Sequence, residues 1–554
     1  ERQGVTSSVS IDWWGAPKLD PGSPQDATPY IAWAINKASQ IYQNSTYDRV
    51  YVDIPDEYFW HHLLKVRDGV VLRGTGPSRS VPGQPWTTGG RLATTPGEAI
   101  YTEALSFDPN TENDVLAVLG GAKQAIVNEF EFSKGGFKNI ELDGNYSNNT
   151  HPWTSDDFDL SEDNSQNYLQ NAVSWNGFGT TNAGGLAFAS GGQIEFTEVN
   201  AHDFGGNNIF TAVRPTVVAS KVRAANSVRN HSVYHFGGGG TIEDLTTDGY
   251  SWFAPMRLGS KDDLATSYTN ITIKDYSPNP QGYDSVSPTM NLLGRNLTFN
   301  TVTINMANRS LNPDIFVADR TGGTVIDDVT VRTGTSGPMR LYRYRGAGEI
   351  RTAPAVTEIK NATVFNEGSG AIIPIIGTQD LAGLVVKNMT VQAASGADAT
   401  VTETPLNLAT SPKHSDNPIP TRNVVDNLDY QHQIQELIGW GGNATNYDSF
   451  PRDLFVLNSS FDNTGGVLYQ SLGRLGLNQD ESLRVSRVYL SNTTINVPDE
   501  ITDLNNPENF HGLIGGDVND TVRLRNCQDR NGRVSDAVNE SFTSDTSHEG
   551  QDFV

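Results

Sequence analysis

Apolar and polar residues alternate with a period of two through much of the 554-residue chain, and each alternating run ends in Asn, Asp or Gly. IELDGN (140–145) is followed by IKDYSPN (273–279), VIDDVTVRTG (325–334), EIKNATVFNEG (358–368) and LVVKNMTVQAASG (384–396). LFVLNSSFDNTGG (454–466) and LRVSRVYLSNTTINV (483–497) continue the series. A period of two places every second side chain on one face, so each run predicts a short strand. The Asn, Asp or Gly that follows tolerates the backbone of a turn. In GFKNIELDGNY (136–146) Ile140 and Leu142 are predicted to point inward, and Asp143-Gly144 to turn.

One stretch departs from this period. Residues 28–43 read as a helix: Thr28 is a capping residue, Pro29 suits the first helical position, and Ile31, Ile35, Ala38 and Tyr42 share a face. Three strands are predicted after it, in VYVDIP (50–55), LLKV (63–66) and VVLRGTG (70–76). The Gly-Ala at 15–16 with DATPYIAWAINKA (26–38), then VYVDIPDEYF (50–59), then VRDGVVLRGTG (66–76), resembles the opening of the pectate-lyase-like right-handed β-helix family. That family includes the glycoside-hydrolase-28-related proteins and many viral tailspikes. Asp56-Glu57 stands where its pattern has a Gly after the Pro. The resemblance covers about 65 residues of motif, and the later repeats extend it in architecture alone.

The resemblance implies an all-β fold, a right-handed parallel β-helix solenoid with an N-terminal capping α-helix. In such a solenoid each coil lays its strands ~4.8 Å from those of the coil before, and stacked coils bury a continuous apolar column that no single coil buries alone. A β-sandwich array is the rival; the loose strand spacing and the N-terminal helix set it second. The expected organisation is an arm at 1–27, the helical cap and first coils with loops at 28–134, and the solenoid at 135–530. Insertions are expected near 151–167 and 405–450, and a polar tail at 531–554.

Composition narrows the partners. The formal charge is −25, with 39 Lys plus Arg against 64 Asp plus Glu, so the surface repels phosphate backbones and anionic lipids, and nucleic acid is not an expected partner. No run of 18 apolar residues occurs, so no membrane span is expected. The start at Glu1 fits a mature form whose leader was removed, or a trimmed chain. The lone Cys527 excludes an intramolecular disulfide and a Cys-based zinc cluster. Fourteen Asn-X-Ser/Thr sequons occur, among them Asn44, Asn145, Asn148, Asn230, Asn270, Asn296, Asn361, Asn388, Asn443, Asn458 and Asn492. They read in two ways: as acceptors on an extracellular glycoprotein, or as strand-to-turn chemistry, since Asn tolerates the left-handed region and Thr suits strands.

Candidate chemistry is densest at 193–263. There Asp203, His231, Asp248 and Arg257 are candidate catalytic residues, and Tyr234, Tyr250, Trp252 and Phe253 candidate sugar-stacking residues. With coils of roughly 22–28 residues, the four catalytic candidates are expected on neighbouring coils of one face. Carboxylates about 5.5 Å apart suit a retaining hydrolase, and roughly 6.5–9.5 Å an inverting one. In a lyase a base takes the proton next to a uronate carboxylate that Arg257 or a metal neutralises. The bland alternative makes Asp203 and Asp248 turn residues, because a Gly follows each within two positions.

The glycoside-hydrolase-28 pattern does not transfer: Asn-Thr-Asp, Gly-His-Gly and Arg-Ile-Lys are all absent. No cofactor is expected, beyond a weak case for Ca²⁺ at the acidic run 156–163, which lacks EF-hand spacing. His61-His62 reads as structural, since neighbours on a strand face opposite ways, and GGGG (237–240) as a corner. The functional expectation is an extracellular, carbohydrate-active β-helix acting on a polysaccharide or cell-surface glycan. The alternative is a non-catalytic surface or virion glycoprotein such as a tailspike, adhesin or filament subunit. Open solenoid ends are sheet edges, so trimeric or end-to-end self-assembly is the expected mode of association.

Overall fold

A computed structural model of the chain divides into two compact units, Glu1–Met306 and Ala307–Val554. In the first it describes residues 7–61, 64–96, 115–119, 134–145, 173–175, 179–180, 186–187, 193–204, 209–212, 216–227, 231–251, 254–260, 264–278 and 289–306. In the second it describes 314–334, 339–345, 356–368, 370, 372–377, 383–393, 406–408, 421–431, 438–439, 452–461, 486–495, 521–528 and 534–535. The proposed insertion at 151–167, and with it the acidic run at 156–163, lies outside these residues. So does nearly all of the tail at 531–554.

The first unit is a parallel β-helix. Its long strands Lys134–Asp143, Gln193–Phe204, Thr216–Ser227, Gly240–Ser251, Thr266–Pro278 and Leu297–Met306 pair in parallel, each with the next. The shared register stacks Ile140, Val199, Val222, Leu245, Ile271 and Val302 in one interior column, every one 3% exposed or less. A second column holds Phe137, Phe196, Ala219, Ile242, Tyr268 and Phe299, all buried. Phe137 stacks on Phe196 at 5.6 Å and Tyr268 on Phe299 at 4.7 Å between ring centroids. Each fully buried aliphatic or aromatic side chain contributes about 1.5–3 kcal/mol, so the column is the main source of cohesion between coils. Ile140 and Leu142 are indeed fully buried.

Between the two columns the chain bends at one residue per coil. Asn139, Glu198, Lys221, Asp244, Asn270 and Thr301 all have φ between 52° and 59°. The strand register passes over each of them, so they form a column of their own along the corner. Side chains bridge along it: Asn139 Nδ2 donates to the Gly74 carbonyl at 2.8 Å, Lys221 Nζ meets Glu198 at 3.0 Å, and Asn270 Nδ2 donates to Asp244 at 2.9 Å. A second corner follows five residues later, at Asp203, Asn226 and Gly249, again with positive φ. Gly249 takes this corner with φ 78°, and a Cβ there would force the Asn226 amide to shift.

A second sheet completes the coils, with Ile209–Ala212, Val233–Gly237, Met256–Ser260 and Met290–Arg295 paired in parallel. The helix Thr28–Gln43 packs Ile31, Ala34, Ile35 and Ala38 against the first strands, Val50–Ile54 and Leu64–Arg67. Thr28 does not cap it, contrary to the sequence reading. Ala27 is the N-cap, and Thr28 instead donates through N and Oγ1 to Asp26 and accepts from the His61 N–H. Ser7–Ser10, within the arm, pairs in parallel with Val50–Ile54.

The second unit repeats the plan. Val325–Thr333, Thr357–Asn366, Gly383–Ala393 and Thr421–Tyr430 pair in parallel, so the range 405–450 contains a solenoid strand. Its corner residues Asp328, Asn361, Asn388, Asn427, Asn458, Asn492 and Asn526 all have φ between 49° and 60°. Asn388 donates to Asn361 at 3.0 Å, Asn427 to Asn388 at 3.0 Å, Asn492 to Asn458 at 3.1 Å and Asn526 to Asn492 at 2.8 Å.

A left-handed backbone costs a non-glycine L-residue about 1–2 kcal/mol, and a net hydrogen bond contributes about 1 kcal/mol. Asn388→Ala, which removes one donor and one acceptor and keeps the strain, is therefore expected to destabilise by about 2 kcal/mol. Asn388→Gly relieves the strain and is expected to cost about 1 kcal/mol less. Urea midpoints of the two variants check the order, and equal losses would refute the corner assignment.

Candidate functional site

The residues between the two corners of the first unit that alternate with the interior ones form a two-column grid, polar except for the buried Ala93 and Ala225. One column runs Arg91, Glu141, Asn200, Arg223, Thr246 and Thr272; the other runs Ala93, Asp143, His202, Ala225, Asp248 and Lys274. Each is one coil from the next, close enough for direct contact. Alternation alone sets this arrangement, because the residues between them, Leu142, Ala201, Ala224 and Ile273, are fully buried.

His202 is the centre of the upper part. Its Nδ1 lies 2.6 Å from Asp203 Oδ2 and 3.8 Å from Asp143, and its Nε2 lies 3.1 Å from Glu141 Oε1. Burial by itself would lower the imidazole, but hydrogen bonds to Asp203 and Glu141 and the charges of Asp143 and Asp203 outweigh it and push it up to about 9. Burial would likewise raise Glu141; the bond to His202 and the charges of His202 and Arg79 bring it down to about 2. At neutral pH the group thus holds an imidazolium at His202 beside an ionised Glu141.

Two arginines finish the cluster. Arg79 reaches Glu141 Oε2 at 2.9 Å and also bonds Glu57; Arg91 bonds Glu57 at 3.0 Å and also Asp143. Arg79 comes from a hairpin in which Arg79–Ser80 pairs antiparallel with Thr87–Thr88. That hairpin lies over the grid: Thr87–Thr88 packs against the strands Lys134–Asp143 and Gln193–Phe204, and Lys274 Nζ donates to the Gly83 carbonyl at 3.2 Å. Lower in the grid Arg223 forms a bidentate pair with Asp248, at 2.9 and 2.6 Å, and donates to Asn200 at 2.9 Å.

Asp203 and Asp248 therefore share this face, Asp203 at the corner with φ 58° and bonded to Asn226 at 2.9 Å. His231 and Arg257 do not share it, which corrects the expectation of a single face: the strand that carries Arg257 and the strand that follows His231 belong to the second sheet. His231 is buried with Nδ1 2.6 Å from the Ala254 carbonyl; burial, and then the charge of Arg257, bring it down to about 3, so it is neutral. Tyr234 stands beside Arg257 in that sheet, and Tyr250 follows the Gly249 corner. Trp252 and Phe253 lie outside the described residues. Glu141, Asp143, His202 and Arg223 were missed. The signal for them was their shared phase relative to the corner residue, two and four positions after it.

Glu141, Asp143 and His202 offer ligand atoms within 4.8 Å of one another. Their chemistry does not fit a resident cation. Two guanidinium groups and the Asn145 N–H already engage the carboxylates, and both ring nitrogens of His202 face acids. Among the glycosylation candidates, Asn145, Asn270, Asn361, Asn388, Asn458 and Asn492 use Nδ2, the atom that would carry a glycan, as a donor to the neighbouring coil. Asn44 Nδ2 donates to the Gln40 carbonyl at the helix end, and Asn296 is a corner residue with φ 56°. Asn148, Asn230 and Asn443 lie outside the described residues.

No family model matches the sequence, and no curated protein does. Solved structures that are similar in outline include three parallel β-helix chains. The A-module of the Azotobacter vinelandii mannuronan C-5 epimerase AlgE6 shares 15% identity over 88% of this chain and 99% of its own, with a TM-score of 0.38. A hyperthermoactive exopolygalacturonase from Thermotoga maritima shares 10% over 94% and 91%, with a TM-score of 0.26. PfbA, a surface adhesin of Streptococcus pneumoniae, shares 10% over 94% and 90%, with a TM-score of 0.27. At these values the likenesses carry no argument about chemistry, and the fold stands on the strand register itself.

The raised His202 gives a pH signature. An ordinary His titrates near 6.5, so the stabilisation is complete below about 6.5 and is lost as pH rises through about 9, on the order of 3 kcal/mol in all. Thermal unfolding from pH 6 to 10 is expected to show a falling midpoint, and His202→Gln to flatten that fall. An unchanged slope in the variant would remove His202 as its source.

Proposed function

We propose that the chain is an extracellular carbohydrate-active protein that binds and cleaves a polysaccharide along the outer face of its first unit, with His202 as proton donor. The observation that carries this is an imidazolium, its side chain 16% exposed, oriented by Asp203, a carboxylate whose side chain is 34% exposed. A charged imidazole at neutral pH is a proton donor to a departing glycosidic oxygen that takes the place of Glu141 Oε1 at Nε2, the longer of its two contacts. In hydrolysis that oxygen takes the His202 proton as its bond to the anomeric carbon breaks; water adds there and gives its proton to a neighbouring carboxylate. In elimination a neighbouring carboxylate takes the proton from the carbon next to a sugar carboxylate, and the glycosidic oxygen leaves the adjacent ring carbon with the His202 proton, its bond to the anomeric carbon intact, so that a double bond forms between those two carbons.

A second reading has its own observation. Arg79, Arg91 and Arg223 pair with Glu57, Glu141, Asp143 and Asp248, which suits a rigid, non-catalytic surface or virion protein as well. Incubation with a panel of acidic and neutral polysaccharides, followed by mass spectrometry of the products, separates the two. Oligosaccharides with saturated ends are expected for hydrolysis and with an unsaturated end for elimination. His202→Gln and Asp203→Asn are expected to lower turnover by about 100-fold with the circular dichroism spectrum retained. An absence of products across the panel, with both variants altering only the melting temperature, would favour the structural protein.

A further inference from the structure

We infer that the outer face of the second sheet in the first unit carries a separate subsite for an oxyanion-bearing saccharide, built from Tyr234, Arg257 and Asn291. These three residues are register partners on successive coils. Their neighbours on each strand, Val233 and His235, Met256 and Leu258, Met290 and Leu292, are buried in the interior, so alternation turns the three outward. The Arg257 guanidinium lies over the Tyr234 ring, 5.0 Å from its centroid.

Among the described residues nothing balances the charge on Arg257. Arg49, Arg73, Arg79, Arg91 and Arg223 of the same unit each pair with a carboxylate. Among the described residues Arg257 has no such partner, in a chain of net charge −25. Its Nε is shielded from solvent and makes no hydrogen bond, and Asn291 Oδ1, one coil further on, is likewise shielded and unbonded. The nearby His231 is neutral and offers no counter-charge. A buried polar atom left unbonded costs about 1–3 kcal/mol, so the pair is arranged for something that binds there.

The missing chemistry is specific. The guanidinium asks for an oxyanion, Asn291 Oδ1 for a hydroxyl donor, and the half-buried Tyr234 ring offers a flat apolar edge beside both. A carboxylated or sulfated sugar carries all three features on one ring. The inference rests on the reading that the chain handles saccharides, but its site lies on a different sheet from His202.

Titration calorimetry tests it with tetrasaccharides of galacturonate, of mannuronate and of a sulfated glycosaminoglycan, each beside a counterpart with its carboxylates reduced or its sulfates removed. At least one acidic tetrasaccharide is expected to bind, its neutral counterpart at least 10-fold more weakly. Arg257→Gln is expected to weaken binding at least 10-fold, Arg257→Lys less, and Asn291→Ala to weaken acidic and neutral forms alike. His202→Gln is expected to leave this binding intact even where it abolishes cleavage, so failure of the cleavage reading and failure of this one are told apart. Equal affinity for neutral sugars, no effect of Arg257→Gln in a variant of unchanged melting temperature, or no binding by any probe would overturn the proposal.

Discussion

The structure depends on one backbone constraint: a residue in the left-handed region on each coil, at the same place in the register. Six such residues in the first unit share φ values within 7° of one another. The bend they impose keeps Ile140, Val199, Val222, Leu245, Ile271 and Val302 in one column and their polar neighbours in another. If one coil slipped by a residue, its apolar set would face water and its charges the core. The corner therefore fixes register, and register brings Glu141, Asp143, His202 and Asp248 onto one face.

The corner solves its own strain in two ways. In the second unit it uses Asn almost throughout, a residue that tolerates the conformation and links to the next coil through its amide. In the first unit Glu198, Lys221 and Thr301 stand there instead. Glu198 and Lys221 offset the poorer intrinsic fit with an ion pair, which at their exposure contributes little. Packing of the interior column holds these positions. The polar grid above them is nearly neutral within itself, although the chain is strongly acidic.

The strands and turns were legible because a period of two and a recurrent Asn are local signals. The Asn-X-Ser/Thr sequons were seen but had two readings, and the amide ladder explains them as corner chemistry at Asn361, Asn388, Asn458 and Asn492. Asp203 and Asp248 were found on their own strands. Their partners were not, because Glu141 and Asp143 are paired with His202 across about sixty residues of chain, a separation that no repeat length announces. The hairpin 79–88 falls among the loops expected within 28–134, and nothing local says that it lies on a sheet. Arg257 and His231 were assigned to the wrong face because each coil changes sheet within a few residues of a corner, and the length of that connection is not encoded in side-chain alternation.

The contact between Gly83 and Lys274 joins positions 191 residues apart. At a synthesis rate of about 5–20 residues per second, the hairpin leaves the ribosome roughly 10 to 40 s before the lysine that secures its tip exists. Early in that interval Arg79 has only Glu57 available; Glu141 follows it by 62 residues, and the coils beneath the hairpin are added one after another until Lys274 is reached. The hairpin thus behaves as a latch that closes late: an early segment of the chain that waits, tethered at one end, for the solenoid to grow under it.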